Sequence, residues 1–283
     1  GGPFVTLEST HAIVNAAAEA GRGAGAFNVI QIELAEALTA GAADAHAPVI
    51  LQISENAVKY HGSLEPIALA TLAIARASEF PVAVHLDHAE SVDLIHEAVE
   101  LGFTSVMFDG STLDYDANVA LTAELAAYCH AHGVGIEAEL GEVGGKDGVH
   151  APGVRTDPTE AAEFVAATGV DALAVAVGSS HAMTSRDAKL DLELISAIRD
   201  AVPVPLVLHG SSGVADENLT KAVEAGMTKV NISTHLNHAF TDTVREVLAA
   251  NPEMVDTRKY LGAGREAVRA EVTRLLGVLL AAN

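Results

Sequence analysis

The chain has 283 residues, 49% of them hydrophobic, enough for a large core and a fit to either one α/β barrel or two ordinary domains. Its 38 acidic residues against 16 basic ones give a formal net charge of −22, which argues against nucleic acid or an anionic membrane as a partner and repels a phosphorylated ligand at long range. No apolar run approaches the ~20 residues of a membrane span. No secretory segment is expected where Glu8, His11 and Asn15 interrupt the pattern, and the single Cys129 fits a reducing cytoplasm.

A leading helix over 6–22 is expected to close one end of the fold. Strand-like runs then follow as GAFNVI (25–30), PVILQIS (48–54), PVAVHLD (81–87) and TSVMFD (104–109). They continue as GVGIEAEL (133–140), DALAVAV (171–177), VPLVLH (204–209) and TKVNI (228–232). Helical stretches separate them, among them IELAEALTAGAADAH, SVDLIHEAVELG and ADENLTKAVEAG, and AELAAYCHAH makes Cys129 a partly buried helix residue. Near-continuous apolar strands are those buried on both faces. Eight of them alternating with helices predict an α/β fold, a closed parallel (β/α)₈ TIM barrel over 1–283 as one domain. The leading helix caps it, and a C-terminal helical extension is expected after Arg265. The longest irregular stretch, 141–157, is Gly-rich and reads as a lid or binding loop.

Three of the 13 histidines, His88, His181 and His209, stand where apolar strands stop. In a (β/α)₈ barrel that is the rim on which active sites are built. Neutral imidazoles converging there, with room for a water or a substrate oxygen, make an open catalytic metal site, and imidazole suits zinc, cobalt and iron alike. Asp87 directly precedes His88. Neighbours on a strand point to opposite faces, so the strand must bend at the rim for both to serve one site. There Asp87 would exchange a proton with a hydroxyl polarised by the metal. The competing reading is a helix N-cap, a position that Glu90 or Ser91 fills equally well.

Barrels often bind phosphate in the loops after strands seven and eight. Gly210, Ser211 and Ser212 on one side and Ser233 and Thr234 on the other form such a cradle, with GSSHA (178–182) as a third small-residue turn. On so acidic a chain the site must rely on backbone N–H groups, hydroxyls and a few cations. Near the C-terminus, Arg258, Lys259 and Arg265 concentrate positive charge, read either as a solvated helix face or as part of a distal anion site. Three competing activities stay open: a Schiff-base aldolase using Lys229, which shares a strand face with Asn231; a metal-dependent hydrolase; and a non-catalytic barrel that scaffolds a partner.

AFNV, HLDHAES, MFDGS, EAELGEVGG, VGSSHA, LVLHGSSG, VNIST and DTRKYLG, in this order from about residue 6 to 280, resemble the class II, metal-dependent ketose-bisphosphate aldolases. The resemblance is to the subgroup that handles fructose, tagatose and phospho-deoxyketogluconate substrates. It implies reversible cleavage of a ketose bisphosphate to dihydroxyacetone phosphate and glyceraldehyde 3-phosphate. It also implies one catalytic zinc on His88, His181 and His209, a nearby alternative metal position at Glu139, and an accompanying monovalent cation. Asp87 would exchange the proton of the C4 hydroxyl. Ala182, Gly210, Ser212, Ser233 and Thr234 would contact the dihydroxyacetone-phosphate end, Asn231 would orient its hydroxyls, and Asn28 and Ser54 would line the pocket. A homodimer or homotetramer is implied, with Arg258 near the distal phosphate.

The chain departs from the family pattern in three places. The family loop after strand five reads GG-x-E-D, its glutamate serving as base, whereas here Gly144-Gly145-Lys146-Asp147-Gly148 is one residue shorter. The base is then Asp147 or Glu142. Where the family has a glycine and a nearby lysine after His181, this chain has Ala182, Ser185 and Arg186. HGSSG replaces the commoner HGGSG and adds a hydroxyl beside the phosphate. These changes bear on which ketose phosphate is used more than on the reaction class.

Overall fold

The computed structural model describes residues 6–140, 154–178 and 189–280. Eight parallel strands close on themselves in chain order: β1 (Ala24–Asn28), β2 (Val49–Ser54), β3 (Val82–Ala89), β4 (Ser105–Phe108), β5 (Gly135–Glu139), β6 (Ala172–Val175), β7 (Leu206–Leu208) and β8 (Met227–Ile232). Barrel closure is the pairing of β1 with β8, Ala24 to Lys229 through Phe27 to Ile232. Every run expected to be a strand overlaps one, with ends that differ by up to two residues.

The helices form the outer ring. They are α1 (Thr10–Ala20), α2 (Ile32–Asp44), α3 (Glu55–His61), α4 (Glu65–Arg76), α5 (Val92–Leu101), α6 (Tyr115–Ala131), α7 (Pro158–Thr168), α8 (Leu192–Ala201), α9 (Asp216–Ala225), α10 (Thr234–Ala250) and α11 (Thr257–Leu280). Their starts are legible locally, since Ser9, Ser54, Ser91, Asp114, Asp157 and Asp191 each accept a backbone N–H of the first turn. Cys129 in α6 is fully buried, and burial pushes its thiol up to about 12.

The leading helix closes the N-terminal end of the barrel as expected. Ile13 and Val14 of α1 pack on Ala24, Ala26, Ile50 and Ala83, and Thr10 Oγ1 lies 2.6 Å from Ser105 Oγ at the barrel floor.

The C-terminal helix differs from expectation: it begins at Thr257, not after Arg265, and runs to Leu280. Gly262 and Gly264 weaken the helical reading there. Gly264 is retained because α10 crosses α11 on it; a Cβ would stand 2.9 Å from the Phe240 ring. From this crossing α11 packs along α2 and under α9. Gly41 of α2 sits at that seam, where a Cβ would lie 2.7 Å from the Arg269 carbonyl and 3.1 Å from Val272. Gly41→Ala is therefore expected to destabilise the protein by ~1–3 kcal/mol through overpacking, read as a lower urea midpoint at unchanged m. An unaltered midpoint would show that α11 shifts without cost.

Candidate active site

The C-terminal ends of the strands converge on a polar mouth. Asp87 and His88 of β3 reach it together because the strand bulges: its register against β4 shifts between Leu86 and Ala89, and His88 has φ 48°. A bulge re-aims a side chain that strict alternation would turn away. The left-handed backbone of a non-glycine residue costs ~1–2 kcal/mol. His88 Nδ1 is held 3.3 Å from Asp109 Oδ2 at the end of β4, and Asp109 is itself fixed by the Ser111 backbone N–H and hydroxyl.

Asp87 is not an N-cap. Ser91 caps α5 by accepting from the Leu94 N–H at 3.2 Å. Asp87 instead is 5% exposed; its Oδ2 accepts from Asn28 Nδ2 at 3.3 Å, and its Oδ1 has no partner among the described residues.

His209, immediately after β7, lies between two carboxylates: Nε2 is 2.8 Å from Glu137 Oε2 and Nδ1 2.8 Å from Glu139 Oε1. Its ring centroid is 4.8 Å from that of His88. Donor atoms of Asp87, His88 and His209 lie within 4.8 Å of one another, as do those of His88, Asp109 and Glu139. A half-buried and a buried imidazole with carboxylates against their ring nitrogens are a donor set expected around a divalent ion, so these residues fit a metal.

The buried carboxylates and Lys229 set the electrostatics of the mouth. Burial works against a charged His209, but hydrogen bonds to Glu137 and Glu139 raise it to about 10. Burial likewise raises Glu137, yet the Lys229 ammonium and His209 hold it well below the usual carboxylate range. Burial opposes ionisation of Asp87 as well, and His88 and His209 beside it keep it lowered. His88 loses to burial and gains more from Asp87 and Asp109, ending raised. Burial and the nearby Lys229 charge push His85, below the mouth, down to about 3.

The remaining expected residues are placed as follows. Gly210, at φ 67°, turns the chain into a 3₁₀ turn over Ser211–Gly213. Ser212 Oγ accepts the backbone N–H of His235 at 3.2 Å and of Ser233 at 3.4 Å, so it joins the loops after β7 and β8. Ser211 does not line the cradle: it is 1% exposed and its hydroxyl donates to the Asn231 carbonyl. Thr234 opens α10, whose N-terminus faces the same loops. Ser54 caps α3 through the Ala57 N–H at 3.1 Å. Lys229 is 1% exposed and donates to Gln52, Glu137 and Asn231; an ammonium committed to three acceptors offers no lone pair for a Schiff base. Arg258 is exposed and pairs with Asp256 at 2.9 Å, touching no mouth residue among those described. His181, Ala182, Arg186, Glu142 and Asp147 lie outside the described residues.

Sequence reasoning missed Asp109 and Glu137. Asp109 ends β4 in MFDGS, the rim position that drew attention to the histidines. Glu137 left a fainter signal, a carboxylate two residues before Glu139 and so on the same strand face.

A closed barrel whose strand ends bring imidazoles and carboxylates to one mouth, beside a loop cradle of small hydroxylated residues, is the framework of a metal-assisted enzyme. The family model for class-II fructose-bisphosphate aldolase matches residues 8–283. Fructose-bisphosphate aldolase of Geobacillus stearothermophilus is 39% identical over 272 residues, covering 95% of each chain. Probable fructose-bisphosphate aldolase of Bacillus subtilis (strain 168) is 39% identical over 270 residues, 94% of this chain and 95% of its own. Among solved structures, the YdjI aldolase of Escherichia coli K12 superposes with a TM-score of 0.86 at 32% identity, covering 96% of this chain and 97% of its own.

The chain belongs to the class II fructose-bisphosphate aldolase family, and it is accordingly a carbon–carbon lyase of a generally metal-dependent group.

Two variants separate catalysis from capping at β3. Asp87→Asn should lower kcat ~10²–10⁴-fold, the usual worth of a general acid–base, with bound metal and thermal stability retained. Ser91→Ala should cost about 1 kcal/mol of stability and leave kcat intact. Wild-type turnover in Asp87→Asn would return that residue to a structural role.

Proposed function

We propose that the protein reversibly cleaves a ketose 1,6-bisphosphate of the fructose or tagatose type to dihydroxyacetone phosphate and glyceraldehyde 3-phosphate, working as one barrel domain over 1–283. The observation that carries this reading is Asp87 Oδ1, buried and without a partner among the described residues, beside His88 and His209. His88 and His209, with His181 as third ligand, would hold one zinc ion, and Glu139 offers a second position. A divalent ion bound there supplies Lewis-acid polarisation of the ketose carbonyl.

Asp87 takes the proton of the C4 hydroxyl as the C3–C4 bond breaks and C4 becomes the aldehyde carbon. The electron pair of that bond passes to C3 and into the C2 carbonyl, and C3 is then protonated by Asp147 or Glu142. Asn28 occupies Oδ2 of Asp87 and so leaves Oδ1 for the substrate. Asn231 orients the hydroxyls of the three-carbon end. Gly210, Ser212, Ser233, Thr234 and Ala182 surround its phosphate, aided by the α10 N-terminus and a monovalent cation, with Ser54 at the pocket edge.

The same reading assigns the enzyme to the cytoplasm and to sugar-phosphate breakdown by glycolysis. The solitary buried thiol suits a reducing compartment.

His209→Ala should lose both bound metal and turnover while far-UV circular dichroism stays native. A panel of ketose phosphates with coupled detection of triose phosphate identifies the substrate. Full activity without metal would overturn the metal-dependent reading. In the same assays, failure of both Glu142→Ala and Asp147→Ala to slow exchange of the C3 proton of dihydroxyacetone phosphate would remove both as the base.

Arg258 is solvent-exposed in the single chain, so a role at the distal phosphate requires a homodimer or homotetramer that brings it to a neighbouring mouth. Its planar fork suits bidentate phosphate binding. Arg258→Ala should then raise KM for the bisphosphate far more than for dihydroxyacetone phosphate; equal effects, or a fully active monomer, would sink this role.

A further inference from the structure

One layer below the mouth, the barrel interior holds a chain of buried polar side chains centred on Lys229. Its Nζ donates to Glu137 Oε1 at 2.9 Å, to Asn231 Oδ1 at 2.9 Å and to Gln52 Oε1 at 2.5 Å. An ammonium has three hydrogens and no acceptor, so these bonds use it completely and each partner must present an oxygen.

That requirement propagates in two directions. On the metal side, Glu137 is fixed by the ammonium and its second oxygen faces His209 Nε2 at 2.8 Å. An ionised Glu137 requires a hydrogen on Nε2, whereas Nδ1 faces Glu139 Oε1 at 2.8 Å and would exchange that contact for a metal when one binds. On the substrate side, Gln52 must give its amide oxygen to Lys229, so its Nε2 donates to Asn28 Oδ1 at 3.2 Å. Asn28 is then forced to point its own Nδ2 at Asp87 Oδ2, at 3.3 Å. An amide's orientation is set by its hydrogen-bond network, and here both amides are set by one charge.

We propose that Lys229 is the positioning residue of the site: through Glu137 it fixes which His209 nitrogen meets the metal, and through Gln52 and Asn28 which Asp87 oxygen meets the substrate. This rests on the metal-dependent aldolase reading above.

The test compares Glu137→Gln with the double variant Glu137→Gln/Lys229→Met. In the single variant the ammonium still claims the amide oxygen, so the new amide presents N–H to His209 Nε2 and reverses the tautomer. Zinc affinity of the chelator-stripped protein, measured by competition with a chromophoric chelator, should fall about 10–100-fold. In the double variant the amide is released to turn its oxygen to His209, and most of the lost zinc affinity should return. Turnover of the zinc-loaded double variant should nonetheless stay about tenfold or more below wild type, because Gln52, Asn28 and Asn231 have lost their common donor.

A merely structural pair predicts the opposite order, with the double variant binding zinc no better than the single one, and that result overturns the proposal. So does wild-type zinc affinity in Glu137→Gln, or full turnover in the double variant. Should the variants not fold, long-range ¹H–¹⁵N correlation on zinc-loaded wild type decides: His209 protonated at Nε2 supports the proposal, and at Nδ1 overturns it. Wild-type protein that binds no zinc would instead overturn the metal-dependent reading itself.

Discussion

Lys229 and Glu137 face each other at 2.9 Å in the middle of the barrel, 1% and 3% exposed. Removing either charge from water costs several kcal/mol, which mutual attraction offsets only when the remaining hydrogen-bonding capacity is also met. Gln52 and Asn231 complete the shell of the lysine, and His209 that of the glutamate. The interior of such a barrel is ordinarily filled by branched apolar side chains. Here a charged layer lies beneath the mouth, beside the buried Met107, Ala174 and Val207 of the neighbouring strands and above the apolar floor under α1.

The mouth also depends on a departure from regular geometry. Regular β3 would present either Asp87 or His88, and the bulge presents both. The left-handed His88 backbone is tolerated because its ring is held by Asp109 and the next residues by Glu55, whose carboxylate accepts the Glu90 N–H. Strain of this kind persists where surrounding contacts over-determine it.

Charge shapes the other half of the site. With a net charge of −22, long-range attraction of a bisphosphate is absent, so recognition falls to short-range donors. The loops after β7 and β8 form a stapled unit: Ser211 ties the first loop to the Asn231 carbonyl and Ser212 ties it to the start of α10. His235 extends the tie outward through Glu271 and Arg274 to Asp216, fastening α10 and α9 to α11.

The barrel was legible in the sequence because strands buried on both faces leave uninterrupted apolar runs, and His88 and His209 at the rim because they stand where such runs stop. Ser91 marked the start of α5 for a similarly local reason. Cα geometry does not mark a bulge in residue types, so the sequence posed the need for a bend at Asp87–His88 but not how it is made. The start of α11 was obscured by glycines that only its packing on Phe240 explains. Lys229 read as a Schiff-base candidate and Glu137 drew no role, since nothing local links two charges 92 positions apart in the chain. By itself the sequence determined the fold class, the rim and the residue types that meet there. Only barrel closure decided which charges compensate each other in the interior, because that pairing depends on strand register across the barrel and not on any local pattern.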